Sequence, residues 1–318
     1  MGTYVLRRLL LAIPTLLGVT FLVFLIVRAL PGDVIEIIVG QYTPAGLGEE
    51  AREQVRKDLG VDDPFLVEYF QFLGGALTGD LGTSLQSRQP VTSEIQDRLP
   101  VTLELGIMAM FFSLIIALPI GVLAAVRQDS WADYLARSTA IGFLAIPSFW
   151  LGTIVIVYPN VWWNWAPPIE FKYFWEDPVD NVYMLSIPAA ILGIGLAGSV
   201  MRLTRAQMLE VLRQDYIRTA WAKGLQERSV VMRHAFKNAF IPIITLIGLQ
   251  VPIVIGGTVV LETIFNIPGM GRYLVEAILV RNYTVVQGVN LLIALTVILS
   301  NLAVDVAYVY LDPRLRHA

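Results

Sequence analysis

The sequence predicts an all-α membrane protein with six transmembrane helices. Hydrophobic residues make up 56% of the 318-residue chain and charged residues only 15%, whereas an ordinary soluble domain carries about 25% charged residues. The mean hydropathy is +0.64. The chain also contains several charge-free apolar runs of the roughly 20 residues that a spanning helix needs. Because backbone polar groups in the hydrocarbon layer must be satisfied within the segment, each run is predicted to be a helix.

Six segments meet this requirement. We place the helices at 9–27, 105–126, 136–158, 181–201, 238–261 and 282–304. The first run follows Arg7 and Arg8, as a signal-peptide core does. It is longer than the roughly 7–15 residues of such a core and lacks a small-residue cleavage site, so we expect an uncleaved helix.

The distribution of basic residues predicts that both termini are cytoplasmic. With the N-terminus inside, most of the 23 Lys and Arg residues fall in cytoplasmic segments. The two short outer loops hold only Lys172, Arg272 and Arg281. An excess of positive charge in short loops marks the cytoplasmic side.

We divide the chain into three parts. An N-terminal segment with the first transmembrane helix covers 1–30, an extracytoplasmic segment covers 31–98, and a five-helix core covers 99–318 with a cytoplasmic loop at about 205–235. The extracytoplasmic segment is acid-rich and too short to be an independent enzyme domain. The tryptophan-rich loop at 159–183 is either an interfacial aromatic belt, which we favour, or an entry surface for a ligand.

Composition excludes several classes of function. The chain has no Cys, which excludes disulfides, thiolate zinc sites and Cys nucleophiles. His234 and His317 are the only histidines, so we expect no metal site and no catalytic residue. The net charge of −3 gives no reason to expect nucleic acid as a partner. The sequence also lacks G-x-x-x-x-G-K-[ST], the phosphate cradle that binds ATP, so we expect no cofactor on this chain.

The cytoplasmic loop is the most informative segment. Ala220, Lys223 and Gly224 lie three and four positions apart, so they would share one face of a helix. A helix with a small residue at the contact and a terminal Gly approaches another protein closely. From the residues alone, two interpretations stay open: a solvated amphipathic loop and a short helix seated in the cleft of a partner protein.

This loop resembles the EAA loop of ABC importer permeases. Residues 215–225 have the form found in the dipeptide/oligopeptide/nickel family. Arg218, Thr219 and Ala220, followed by Gly224, match the E-A-A-x3-G core with Arg and Thr at its first two positions. The general pattern continues at a shorter spacing than here, but the run from His234 to Pro242 resembles the H-A-x-x-N-A-x-x-P of this family.

Further motifs of the same family follow in order along the chain. They are Tyr4, Arg7, Arg8 and Pro14 with Pro31-Gly32-Asp33; Asp80 to Ser84; Pro90-Val91; Arg98 to Leu103; Pro147-Ser148-Phe149; Glu262-x-x-Phe265-x-x-Pro268-Gly269-x-Gly271; Asn301 with Asp305; and Asp312-Pro313-Arg314. Ala145 departs from the pattern, because the family has Ser at that position. The chain is identified as a B-type member of this family, a binding-protein-dependent inner-membrane component.

The resemblance implies a type I ABC importer permease fold in a bacterial or archaeal plasma membrane. It implies a pore-forming subunit of an ATP-driven, binding-protein-dependent importer. Di- or oligopeptides are the leading substrate, and oligosaccharide, nickel chelate and glutathione are alternatives. The implied partners are a second homologous permease subunit, two ATP-binding subunits, an extracytoplasmic substrate-binding protein and membrane lipid. ATP and Mg would be bound by the partner subunits.

The resemblance also assigns residues to two sites. Coupling to the ATPase falls on Glu210, Asp215, Arg218, Thr219, Ala220, Lys223 and Gly224. Of these, Ala220, Lys223 and Gly224 would make the contact, and Glu210, Asp215 and Arg218 would orient it. A possible pore or gate falls on Pro252, Gly256, Gly257, Glu262, Phe265, Pro268 and Gly269. Pro and Gly also serve kinks and close helix packing, which is the alternative for the fifth span.

Two other classes of membrane protein fit poorly. A stand-alone secondary transporter would carry ionisable residues near the middle of its spans, and these spans are nearly free of them. An intramembrane enzyme would need a dyad such as serine–histidine, and both histidines lie outside the spans. Glu104 is expected to reach the headgroups. Asn301 and Asp305, four apart, are expected to form a polar link to a neighbouring helix.

Overall fold

The computed structural model describes residues 2–29, 64–168 and 170–311, and these residues are almost entirely helical. The elements are α1 Gly2–Ala29, α2 Phe65–Thr78, α3 Val91–Val126, α4 Trp131–Ala145, α5 Ser148–Trp163, α6 Pro178–Leu212, α7 Asp215–Ala222, α8 Glu227–Leu249, α9 Val251–Ile264, α10 Met270–Leu279 and α11 Tyr283–Leu311. The predicted all-α fold is confirmed. The motifs at 31–33 and 312–314, residues 31–63 of the predicted extracytoplasmic segment and the side chain of Asp305 lie outside the described residues.

Four of the described helices, α3, α6, α8 and α11, are long and apolar enough to cross a membrane. The pair α4 and α5 makes a fifth candidate if it is counted as one bent span. The apolar part of α1, Leu10–Ile26, and the helix α9 are shorter apolar segments. We call the end of the molecule that carries α7 the inner end and the opposite end the outer end, following the orientation predicted from charge.

A single helix was predicted over 136–158, but the structure has two helices there. The third span is broken between α4 and α5, which meet at an angle of 88°. Pro147 causes the break, because a proline disfavours the helical conformation of the residue before it. Ile146 accordingly adopts an extended backbone, with φ −90° and ψ 116°.

The fifth span is also interrupted, where a continuous helix was predicted over 238–261. The helix α8 ends at Leu249 and α9 begins at Val251. Pro252 lies in the first turn of α9, where its missing N–H costs least, and it cannot continue the hydrogen bonding of α8. The first part of α8, Val230–Phe236, is a π-helical stretch.

The centre of the fold is the pair α3 and α6. The contacts of Glu104 with Asn181 and of Gly121 with Thr204 show that the two helices run in the same direction. They approach closely at Gly193, where a Cβ would lie 2.6 Å from the carbonyl oxygen of Ala109. Small residues permit such contact between membrane helices. The short helix α9 packs against the same core.

The outer end is built from short segments packed on long helices. The helix α2 folds against α1, where the hydroxyls of Tyr69 and Thr20 lie 3.0 Å apart. The loop before α3 is held by Asn282, whose Nδ2 donates to Ser84 Oγ at 2.9 Å. The helix α3 begins at Val91, well before the predicted start at 105, and runs without interruption through the proposed boundary at 98 and 99. The division into three parts stays a prediction.

Candidate functional site

The inner-end loop between α6 and α8 contains one short helix, α7, that stands apart from the spans. It begins after Gln214, which has an extended backbone. Just beyond its end the chain turns at Gly224, which has φ +75°, a conformation that favours glycine. The N–H of Leu225 donates to the carbonyl of Ala220 at 3.4 Å, and this bond closes the end of the helix. The predicted loop therefore contains a helix of fixed length with defined ends.

One face of α7 is anchored in the chain's own apolar core. Ile217 is fully buried and Ala220 is 6% exposed. Both belong to a cluster, which we call the loop cluster, whose other buried members are Ala125, Met208, Val230, Val231, Ala235 and Ala239. A helix of eight residues has few contacts of its own, so an apolar stripe of this kind is what holds it in place.

The position of Ala220 differs from the prediction. Ala220, Lys223 and Gly224 were expected to share one contact face. Lys223 and Gly224 are exposed, but the side chain of Ala220 is buried in the loop cluster of its own chain. The reason is that α7 ends at Ala222, so Lys223 and Gly224 lie beyond the helix and leave its face.

The remaining residues of the predicted coupling set are exposed. They are Glu210, Asp215, Arg218, Thr219, Lys223 and Gly224. Asp215 and Arg218 form an ion pair of 3.4 Å with both side chains largely in solvent. Such pairs contribute little to stability. These charges are therefore available at the surface of the chain without being required for the fold of the loop.

Three exposed apolar residues beside these charges were missed by sequence reasoning. Tyr216 and Trp221 are each 45% exposed, and Leu225 is 38% exposed. These residues make a candidate interaction surface, because Trp and Tyr are enriched where binding energy concentrates in interfaces. Their signal in the sequence was two aromatic residues within one short charged helix.

The loop is tied to the start of the fifth span. Asn238 Nδ2 donates to the Tyr216 hydroxyl at 3.0 Å and to the carbonyl of His234 at 2.8 Å. The carbonyl of His234 belongs to the π-helical stretch, whose residues Val230, Val231 and Ala235 pack in the loop cluster. The helix α7 thus contacts α6 and α8 through one continuous apolar cluster.

A second group of predicted residues forms a junction between α9 and α10 at the outer end. The carboxylate of Glu262 is fully buried. Its Oε1 accepts a hydrogen bond from Thr102 Oγ1 at 2.7 Å, and its Oε2 accepts one from the backbone N–H of Arg272 at 3.0 Å. The backbone N–H of Met270 donates to Thr102 Oγ1 at 2.8 Å. The carboxylate therefore caps the N-terminus of α10 and joins it to α3.

The rest of the E-x-x-F-x-x-P-G-x-G motif fits this junction. A Cβ on Gly269 would overlap the Glu262 carboxylate, so glycine is required there. Phe265 is buried in the core cluster of α3 and α6. Pro268 is half-buried in the connecting turn. The structure thus brings Glu262, Phe265, Pro268 and Gly269 together.

Pro252, Gly256 and Gly257 lie lower on α9, outside this junction. Pro252 starts the helix, and Gly257 packs on Leu192, whose Cδ1 a Cβ would approach to 2.5 Å. Gly256 is exposed, with no neighbour around its missing Cβ. Of the three, Gly256 is the one that the described residues leave exposed.

Gln250, at the break in the fifth span, was also missed. Its side chain is buried, and Nε2 donates to Ser199 Oγ at 2.7 Å and to the carbonyl of Leu196 at 3.3 Å. A single amide therefore fixes the junction of α8 and α9 to α6. The sequence signal was an amide two residues before a proline inside an otherwise apolar run.

Replacing Gln250 with leucine is expected to lower the stability of the purified protein by about 1 kcal/mol, the usual net contribution of such a bond. Thermal unfolding in detergent measures the change. Gln226→Leu, at an exposed position of the inner loop, is the control and is expected to melt like the wild type. Equal melting of the two variants would show that the amide does not hold the junction.

Glu104, which was expected to reach the headgroups, contacts the start of α6 within the chain. Its Oε2 accepts a hydrogen bond from Asn181 Nδ2 at 3.3 Å, and the same amide donates to the carbonyl of Lys172 at 2.9 Å. The link holds the aromatic loop to α3. In that loop the rings of Tyr173 and Trp175 stack at 4.7 Å. In the same loop, the pKa of Lys172 is raised mainly by its hydrogen bond to Asp180 and to a smaller extent by its hydrogen bond to Asp177.

The sequence matches two family models. The model described as binding-protein-dependent transport system inner membrane component matches residues 117–317, and that of the N-terminal part of such membrane components matches residues 1–106. Over 337 aligned residues the chain is 40% identical to the dipeptide transport system permease protein DppB of Escherichia coli (strain K12), covering 99% of this chain and 98% of the relative. It is 39% identical over 325 residues to the oligopeptide transport system permease protein AppB of Bacillus subtilis (strain 168), with 100% of both chains covered.

The fold also matches a solved structure. A chain of the inward-facing MetNI methionine ABC transporter superposes with a TM-score of 0.57 at 18% sequence identity, over 69% of this chain and 96% of that chain. This likeness supports the permease fold alone. With two family models that together match most of the sequence, the chain belongs to the binding-protein-dependent transport system inner membrane component family and is a multi-pass inner-membrane permease.

Proposed function

We propose that the chain is the pore-forming subunit of an ATP-driven importer whose cargo is a di- or oligopeptide. The observation that carries the proposal is α7, a short helix anchored by Ile217 and Ala220 in its own chain. Next to this anchor, Tyr216, Trp221 and Lys223 are exposed and are available to a partner. The relatives named as dipeptide and oligopeptide permeases support peptides as the cargo.

The partners follow from what the chain lacks. Without a phosphate-binding loop it needs separate ATP-binding subunits, and two of them, holding ATP and Mg, would bind this chain and a second homologous permease at their α7 loops. An extracytoplasmic binding protein would deliver the peptide at the outer end. This arrangement places both termini of the chain in the cytoplasm, in agreement with the distribution of Lys and Arg.

Movement would reach the pore through the loop cluster. When the ATP-binding subunits close, they displace α7, and its buried side passes the displacement to α6 and α8 because all three share one apolar cluster. The breaks at Pro147 and Pro252 give the third and fifth spans places to bend. The junction at Glu262 would hold α10 at a fixed angle as part of an outer gate.

Uptake by the reconstituted complex tests the proposal. With the second permease, the ATP-binding subunits and the binding protein in liposomes, we expect labelled dipeptide to accumulate only when ATP and the binding protein are both present. Omitting Mg or ATP should abolish accumulation. ATP-independent uptake by the purified chain alone would overturn the proposal, and uptake of an oligosaccharide, nickel chelate or glutathione in place of peptide would overturn the cargo.

A further inference from the structure

A buried carboxylate joins α4 to α6 at the inner end. Asp133 is fully buried in the first turn of α4. Arg205 of α6 donates to it twice, from Nε to Oδ1 at 2.6 Å and from Nη2 to Oδ2 at 2.7 Å. The backbone N–H of Asp129 donates to Oδ2 at 3.0 Å. Two parallel bonds from a planar guanidinium fix the angle between the helices as well as their distance.

The surroundings hold the carboxylate in one orientation. Ser130 caps α4 by accepting a hydrogen bond from the backbone N–H of Asp133. Arg137 Nε lies 3.4 Å from Asp133 Oδ1, and its guanidinium stacks over the Tyr134 ring at 4.4 Å from the ring centre. A buried ion pair gives little net stability compared with well-packed apolar residues. The donors around Asp133 are therefore better explained by the fixed helix orientation that they impose than by a gain in stability.

The ion pair lies between the loop cluster and the bent third span. Arg205 is one helical turn before Met208, which is fully buried in the loop cluster beside Ile217. In the other direction, α4 packs on α6 at Gly198, where a Cβ would lie 2.7 Å from the carbonyl oxygen of Ala140. The α4–α6 contact thus extends from the inner end towards the bend at Pro147.

Beyond the bend, the third span contacts the outer junction. A Cβ at Gly152 of α5 would lie 3.2 Å from Leu261 Cδ2 and 3.4 Å from Phe265 Cε2. Leu261 precedes Glu262, the residue that caps α10. Packed side chains therefore connect α7 to α6, α6 to α4, and α5 to α9, and the backbone at Pro147 joins α4 to α5.

We propose that Asp133 and Arg205 are positioning residues that lock α4 and α6 into one body, so that movement of α7 reaches α5 and the outer junction through the bend at Pro147. The inference rests on the proposed function, in which α7 receives the movement of the ATP-binding subunits. Neither residue touches a substrate or a nucleotide. Their role is to keep peptide transport coupled to ATP hydrolysis.

The number of peptides transported per ATP hydrolysed tests this role in the reconstituted complex. Asp133→Asn and Arg205→Gln are each expected to lower that ratio about 5- to 150-fold, the usual range for coupling between sites. The double variant is expected to be no worse than either single variant, because the two residues act as one unit. Asp97→Asn is the matched control, because it makes the same chemical change at an exposed position near the start of α3, away from the ion pair. Its ratio is expected to equal that of the wild type.

A ratio that stays at the wild-type value in both single variants would overturn the role, whatever happens to the separate rates. In that case ATP-driven uptake by the wild type would still support the proposed function. A wild-type complex whose uptake does not need ATP would instead overturn the proposed function itself. The two failures are therefore distinguishable in one set of assays.

A distance measurement keeps the inference testable if the variants fail to fold. The chain has no Cys, so spin labels can be placed in an otherwise native chain at exposed positions. Leu135→Cys with Ala206→Cys reports on α4 and α6, and Leu135→Cys with Val161→Cys reports on α4 and α5. On addition of ATP to the complex, we expect the first distance to stay constant and the second to change. A change in the first distance, or constancy of both, would overturn the inference.

Discussion

Replacing Trp221 with glutamate is expected to reduce ATP-driven peptide uptake by at least about 30-fold, while the isolated chain keeps its thermal stability. Trp221 is 45% exposed in the inner loop, beside the exposed Tyr216 and Lys223. An aromatic residue at the centre of an interface contributes on the order of 2 kcal/mol, and 1.4 kcal/mol is about tenfold. Uptake and ATPase activity of the complex, with thermal unfolding of the chain alone, measure the effect.

The control for this variant comes from the same end of the molecule. Trp131 is also exposed at the inner end, but it lies at the start of α4 and outside the α7 loop. Trp131→Glu is expected to retain the binding of the ATP-binding subunits, and Trp221→Phe to retain most uptake because it keeps an aromatic face. If Trp221→Glu still pulls down the ATP-binding subunits as strongly as the wild type, α7 is not their docking site.

The spans were the part of the fold most accessible from sequence. A run such as 181–201 carries no charged residue. In the hydrocarbon layer its backbone N–H and C=O groups must be hydrogen-bonded within the segment, which requires a helix. Length and composition are sufficient to find it, and it lies within α6. The same criterion cannot detect a break, because a broken helix has the same composition as a straight one. Pro147 carried the information for the third span, through its effect on the residue before it.

The candidate site was harder to predict, because its residues are defined by burial. Helical spacing placed Ala220, Lys223 and Gly224 on one face, but spacing alone does not say where the helix ends. The loop cluster determines which residues of α7 are buried. It is formed by residues far apart in the sequence, such as Ala125 and Val231. For the same reason spacing could not show that Ile217 is buried while Trp221, one turn later on α7, is 45% exposed.

Glu262 shows the same limit at the outer end. Its motif was recognised, and a gate was the proposed role, yet nothing in the motif indicates that the carboxylate caps the next helix. The capping bond spans ten residues and the bond to Thr102 spans 160. Contacts of that kind depend on how α3 meets α9, which local sequence does not determine.

Adding one methyl group at Gly269 is expected to destabilise the protein by about 3 kcal/mol or more. A Cβ there would overlap the carboxylate of Glu262, which is fully buried and cannot move into solvent. Displacing it breaks the bonds to Thr102 and to the N–H of Arg272, and each buried polar group left without a partner costs about 1–3 kcal/mol. The backbone itself is not the obstacle, because φ at Gly269 is −92°. Thermal unfolding of Gly269→Ala measures the loss.

Gly256→Ala is the matched control, because it makes the same change on α9 where no atom lies near the added methyl. It is expected to melt at or slightly above the wild-type temperature, since Ala favours a helix more than Gly does. The double variant Glu262→Ala with Gly269→Ala separates overlap from a general need for glycine. Once the carboxylate is gone, the methyl has space, so the double variant should be no less stable than Glu262→Ala alone. Additive losses in the double variant would mean that the overlap with Glu262 is not what requires glycine at this position.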